Sequence, residues 1–197
     1  MKKIAVDQAH QRLQTMRKAY AEYQNLENIA DMKESWIKFL TAMSTVYSKL
    51  EQGCKVSEKS KNWFHKQKGI RRTDNLLNYL HRARNSSEHG IEEISLAGYS
   101  VEATVGDAEN FEIGIGFSND GRLFPHVKSA VSGSIKSFPF LHLIRVNDSR
   151  FGDFCDPASK HKDQKIDGTK VECIAPLAII YIESMIDEAH SLISLEP

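Results

Sequence analysis

Apolar side chains in the first ninety residues recur at steps of three and four, the spacing that lines one face of an α-helix. Ala9, Leu13, Met16, Tyr20, Tyr23 and Leu26 form such a stripe and predict a first helix. Asn25 to Asn28 predicts a loop. Trp36, Phe39, Leu40, Met43, Val46, Tyr47 and Leu50 then hold the period through a second helix, with Gly53 as its stop. The short connection makes the two an antiparallel hairpin. A shorter helical piece follows at about Ser57 to Lys68, carrying Trp63 and Phe64, and Gly69 is expected to break it. Thr73 reads as the N-cap of the next helix, with Asp74 placing negative charge in its first turn. Leu76, Leu77, Leu80 and Ala83 are its buried stripe, and Gly90 suits a left-handed residue that ends it.

After Gly90 the period shortens to two. Ile94, Leu96 and Gly98, then Val101, Ala103 and Val105, read as extended chain with a bulge at Gly98. Phe111, Ile113, Ile115 and Phe117 alternate with Glu112, Gly114, Gly116 and Ser118. Asn119-Asp120-Gly121 is a hairpin turn signal, and Arg122 to Val127 reads as the returning strand. Phe138 to Val146 is a further strand. Residues 92 to about 147 thus predict an antiparallel sheet of three or four strands. Asn147 to Gly168 is polar and reads as a loop. A last helix begins near Thr169, where Thr169 and Glu172 have capping-box spacing, and Pro176 is a candidate kink. Its wide apolar face must pack on the earlier helices. The prediction is one α+β, mainly α domain over residues 1–197: a helical core of 1–91 and 169–197, with a β insertion and loop at about 92–168.

Composition narrows the function. Hydrophobic residues are 41% and charged residues 26% of 197, which predicts a soluble globular chain. The formal net charge is zero, which argues against tight non-specific binding of duplex nucleic acid. A local patch is still available. Lys55, Lys59, Lys61, Lys66, Lys68, Arg71, Arg72, Arg82 and Arg84 form a basic run around Trp63 and Phe64. That combination suits phosphate attraction beside a stacking aromatic, or a solvated face over a core tryptophan. Lys66, Lys68, Arg71, Arg72 and Arg82 are the candidate RNA-binding residues. Cys54, Cys155 and Cys173 are odd in number and lack C-x-x-C spacing, so buried thiols are expected instead of a disulfide framework. Asp7, Gln8 and His10 interrupt any leader-like apolar run, and no stretch is long enough to span a bilayer. A cytoplasmic protein without a membrane partner is expected. His126, His142 and His161 show no metal-ligand spacing, so no metal or other cofactor is expected. Gly114, Gly116 and Gly121 have the wrong spacing for a dinucleotide fingerprint and suit close strand packing.

The sharpest candidate is Arg84-Asn85-Ser86-Ser87-Glu88-His89 at the end of the fourth helix. Asn85 and His89 are four apart and share a helical face. Arg84 is offset from His89 by about 140° around the axis, which a long side chain or a loosened last turn could cover. Imidazole exchanges a proton near neutral pH, and guanidinium matches phosphate geometry. Asn85 could orient either group. Together they suit RNA phosphodiester cleavage, with a proton moved at the ribose 2′-OH or the leaving oxygen. The plainer reading is a helix-end histidine and a solvated arginine.

The stretch from Asn75 to Gly90 resembles the signature helix of the HEPN superfamily, in which Arg, a polar residue such as Asn, a short spacer and His follow one another. Arg84, Asn85 and His89 match that pattern. The preceding hairpin and the last helix resemble its bundle of four to five helices, with the β insertion lying outside the minimal family fold. The resemblance implies a metal-independent endoribonuclease of toxin–antitoxin, abortive-infection or other phage-defence type. It would act as a homodimer with two motifs facing a common cleft. Arg84 and His89 would be catalytic and Asn85 supporting; RNA, a second copy and a cognate antitoxin are the implied partners. Family members without activity serve as RNA-binding or protein-interaction modules, the alternative for this chain.

Overall fold

Two long helices, α1 (Lys3–Gln24) and α2 (Ile29–Gly53), form the expected hairpin. Asn28 caps α2, its side chain accepting from the N–H groups of Ala30 and Asp31 at 2.8 and 3.3 Å. Small residues on α1 bring the two backbones together. At Gly53 an added Cβ would lie 2.4 Å from the Ala5 Cβ, so this glycine ends α2 where the helices meet too closely for a side chain. The coordinates are a computed structural model describing residues 1–91, 93–104, 112–117, 123–128, 134–148 and 153–193.

A single 3-10 turn at Cys54–Val56 leads to α3 (Glu58–Thr73), capped by Ser57, and then directly to α4 (Asn75–His89). Three expectations fail here. Gly69 does not break the third helix, which runs on to Thr73. One glycine costs a helix only about 1 kcal/mol, and Phe64 and Gln67 anchor its buried face. Thr73 is not the cap of α4. Its hydroxyl donates back to the Gly69 carbonyl at 3.2 Å, while the Asp74 carboxylate accepts from Leu77 N–H at 3.0 Å and caps the helix. Gly90 is not left-handed: its φ is −103°. Its N–H donates to the Ser86 carbonyl at 2.7 Å, and an added Cβ would sit 2.7 Å from that same oxygen. Glycine is needed there for close approach.

The chain divides into two compact units, residues 97–140 and residues 1–96 with 141–197. In the first, the extended segments among the described residues pair two by two, where a single sheet was expected. β1 (Ser95–Thr104) pairs with β4 (Ser134–Leu143). β2 (Glu112–Phe117) pairs antiparallel with β3 (Leu123–Lys128), in a register from Glu112 opposite Lys128 to Phe117 opposite Leu123. That pairing bears out the hairpin reading of Gly114 and Gly116; the turn residues Asn119 to Gly121 lie outside the described residues. At Gly98 the Phe140 ring would come within 2.4 Å of an added Cβ, so the glycine gives space to an aromatic ring.

In the second unit α5 (Val171–Ser191) completes a helical core with α1, α2 and α4. Trp36, Tyr23, Tyr79, Phe39 and Leu13 are its largest fully buried side chains. Polar ties fix α5 to its neighbours. Tyr23 donates to Glu172 at 3.0 Å, Arg17 to Glu183 at 2.5 Å, and Tyr181 to Gln67 at 2.8 Å. The expected capping box is not formed. Lys170 occupies the N-cap position without a side-chain bond; Thr169 pairs with the His142 ring at 3.1 Å, and Glu172 is taken by Tyr23. Pro176 lies inside the helix.

The segment read as a loop carries two small hairpins. β5 (Val146–Asp148) pairs with β6 (Asp153–Cys155), and β7 (Lys160–His161) with β8 (Gln164–Lys165). Strands of two or three residues are too short to show alternation in a sequence. Their anchors are buried: Val146, Ala158, His161 and Ile166 all face inward. The chain is thus mainly helical with small β pairs. No described helix is long and apolar enough to cross a membrane.

Candidate functional site

α4 carries the Arg-Asn-x-x-x-His pattern on its last turns, as expected, and stays α-helical through His89. An unbroken helix keeps Arg84 and His89 about 140° apart, so the loosened last turn that would bring them together in one chain is not formed. Asn85 turns inward and is 2% exposed. Its Oδ1 accepts from Arg84 Nη1 at 3.4 Å, and its Nδ2 lies 3.5 Å from His81 Nε2. His89 is exposed, because the last turn runs past the core. Asn85 therefore braces Arg84 from within, and the three groups do not share one open face.

Glu88, read as spacer, has a definite part: its carboxylate ion-pairs with Arg84 Nη2. This i,i+4 pair is half-exposed, with side-chain exposures of 24% for Arg84 and 31% for Glu88. Ser86 is buried, and Ser87 donates to the Arg84 carbonyl at 2.8 Å. The guanidinium is held from two sides, and any phosphate reaching it must compete with Glu88.

The basic run splits by direction. Lys66 and Arg72 stand exposed on α3. Lys68 pairs with Glu51 at 3.1 Å, Lys61 with Glu58 at 2.6 Å, and Arg82 Nε donates to Asn78 at 3.4 Å. Arg71 turns toward the bundle, its guanidinium 4.5 Å above the centre of the Tyr47 ring. Burial holds it below the usual arginine range. Phe64 is closed to base stacking, while Trp63 is only half-buried. Phe64 is 2% exposed, and the Trp63 ring packs on the core with its indole N–H donating to Glu188 at 2.9 Å.

A cleft of about 10 Å³ opens where α2, α3 and α4 meet, lined by Ser44, Tyr47, Arg71, His81 and Arg84 among apolar neighbours. Tyr47 was legible in the sequence only as a core position of α2. Burial pushes its phenol well above the ordinary tyrosine value.

Of the scattered histidines, His126 lies on β3 opposite Gly114, and its side chain is outside the described residues. His142 meets Thr169. His161 forms a pair the sequence did not reveal, its Nδ1 at 3.0 Å from Asp74 Oδ1. Lys162 N–H donates to Asp74 Oδ2 at 2.7 Å, from a backbone held at φ 52°. Burial acts to raise the Asp74 carboxyl, but the bonds from Leu77, Lys162 and His161 outweigh it, so its pKa lies below the ordinary value. The three cysteines are free thiols, with Cys54 buried.

Comparison with protein-family models, curated proteins and solved structures finds no match.

Proposed function

We propose that this chain is a HEPN-type, metal-independent endoribonuclease of the toxin, phage-defence or stress class, cleaving RNA by 2′-OH attack at a homodimer cleft. The observation that carries the reading is the end of α4. A guanidinium braced by Asn85 and an exposed imidazole occupy the last two turns of one helix. His89 exchanges the proton of the attacking hydroxyl or the leaving oxygen. Arg84 neutralises charge growing on the phosphate oxygens. Asn85 positions Arg84 and does not itself touch RNA. The offset of about 140° between the two groups is what calls for a second copy, whose His89 faces the Arg84 of the first.

The test is cleavage of mixed RNA by the purified chain in EDTA. Wild type cuts, and Arg84→Ala or His89→Ala each lowers the rate at least about 100-fold. A wild-type chain inert on varied RNAs, or one whose cutting survives both substitutions, refutes the proposal.

A second reading, a non-catalytic HEPN-like RNA-binding or protein-interaction module with or without a cognate antitoxin, is favoured by one observation. Glu88 already neutralises Arg84. Under that reading the chain binds RNA or a protein partner without cutting.

A further inference from the structure

A groove of about 210 Å³ lies between α2 and the chain that leaves α4. It is smaller than the pocket of a drug-sized ligand and suits one planar ring system. Its apolar lining is Ile37, Ile91 and Ile94, and its polar lining includes Lys33, Ser87 and Glu93. Ile94 is buried, but Ile37 is 39% exposed and Ile91 fully exposed, so apolar side chains stand in water at the groove. A guest that covers them recovers the cost of that exposure. Lys33 donates to Glu93 Oε2 at 2.7 Å, which sets a donor and an acceptor side by side. The Glu93 side chain is 61% exposed, and each carboxylate oxygen has two lone pairs, so acceptor capacity remains. Ser87 stands three residues beyond Arg84, about 4.5 Å along the axis of α4, and donates to the Arg84 carbonyl at 2.8 Å. The groove therefore adjoins the turn that carries Arg84.

We propose that this groove is a nucleobase subsite that takes guanine, the base of the nucleotide whose phosphate Arg84 holds. The class of guest follows from the lining: isoleucine walls bury the faces of a flat ring, and the ion pair meets its polar edge. The choice of base follows from the carboxylate, which accepts hydrogen bonds at both oxygens and donates none. Guanine alone carries two adjacent donors on its Watson–Crick edge, N1–H and the N2 amino group, beside the O6 acceptor. Glu93 accepts both, and Lys33 donates to O6. Adenine and cytosine offer one amino group beside a ring-nitrogen lone pair, and the N–H of uracil lies between two carbonyl oxygens. Each of these sets a lone pair against the carboxylate, which counts against the wrong base. Lys33 also offsets the charge of Glu93 toward neighbouring phosphates. The proposal rests on the ribonuclease reading for RNA as the carrier of the base.

The experiment uses the full chain and short labelled oligonucleotides with 2′-O-methyl riboses, which 2′-OH attack does not cut. Each is a run of uridines with the central base varied, and binding is followed by fluorescence anisotropy. The strand with central guanine binds about tenfold or more tighter than those with adenine, cytosine or uracil. Inosine in its place, which lacks the N2 amino group, loses part of that preference. Glu93→Gln turns one acceptor into a donor, so the guanine preference falls below about twofold and adenine becomes the preferred base. A merely destabilised chain would instead lose affinity for every strand alike. Ile91→Ala, at a side chain that nothing covers, weakens the guanine strand severalfold. Equal binding of all four strands, or a guanine preference that Glu93→Gln leaves intact, overturns the proposal. Guanosine monophosphate that binds more tightly than the guanine strand makes the free nucleotide the ligand and overturns the subsite's place in RNA recognition. Glu93-dependent guanine binding with no cleavage of ordinary RNA would sink the nuclease reading alone. Cleavage of ordinary RNA without any base preference would sink the subsite alone.

Discussion

Asp74→Ala probes how α3, α4 and the 158–166 segment hold together. The Asp74 side chain is 6% exposed and serves three partners at once. It caps α4 through Leu77 N–H at 3.0 Å, accepts from Lys162 N–H at 2.7 Å, and meets His161 Nδ1 at 3.0 and 3.1 Å. Loss of a cap costs about 1 kcal/mol. Loss of a hydrogen bond to a charged acceptor costs about 1.5–3 kcal/mol, more when the donor stays buried. Lys162 adds to this, since its left-handed backbone is held in place by that bond. The expected total is about 3–4 kcal/mol, read as a shift of the urea midpoint at pH 7 with an unchanged slope. Asp74→Asn keeps an acceptor for the cap and loses about half as much. The pH dependence follows from the direction of the carboxyl's shift. Its folded pKa lies below the unfolded value of about 3.9, so its contribution is complete above about pH 5 and is lost as pH falls through the folded value. A loss under about 1 kcal/mol, or the same acid sensitivity in wild type and Asp74→Asn, would refute the reasoning.

Two further outcomes follow from the same geometry. Gly69→Ala stabilises the chain by about 0.5–1 kcal/mol in thermal or urea melts, because no atom lies within 4 Å of the new methyl and the helix gains propensity; a destabilised variant would contradict the continuous α3. Glu88→Gln releases Arg84 from its counter-charge and raises affinity for an uncleavable RNA at low salt by up to about fivefold, whereas weaker binding would show that Glu88 supports the RNA contact.

The helical half of the fold was legible because its stripes are long. Trp36 through Leu50 hold one face for several turns, and no short-range signal competes with them. What was not legible depended on distant chain. Thr73 and Asp74 are both good caps by type, and the choice falls to the residue that also meets Lys162 and His161 from the far side of the sequence. Gly69 reads as a breaker only when the helix faces are unknown. Thr169 and Glu172 have capping-box spacing, yet His142 and Tyr23 take their side chains first. At the site, periodicity places Asn85 and His89 on one face, but it does not say that the core ends between them. Glu88 shows the same limit: a spacer in the pattern becomes the partner of Arg84 once the helix is closed. Tyr47 was visible as an apolar position, while the Arg71 guanidinium stacked on its ring is a fact of two helices meeting.

The central claim is that Arg84 of one copy works with His89 of another, and complementation tests it most directly. Arg84→Ala and His89→Ala chains, each inert alone, are unfolded together, refolded at equal ratio and assayed on RNA in EDTA. A site shared across a twofold leaves one intact Arg84–His89 pair in each mixed dimer, so activity returns to about a quarter of wild type. A mixed dimer that forms, as shown by differently tagged chains co-purifying, and yet stays inert would contradict the account.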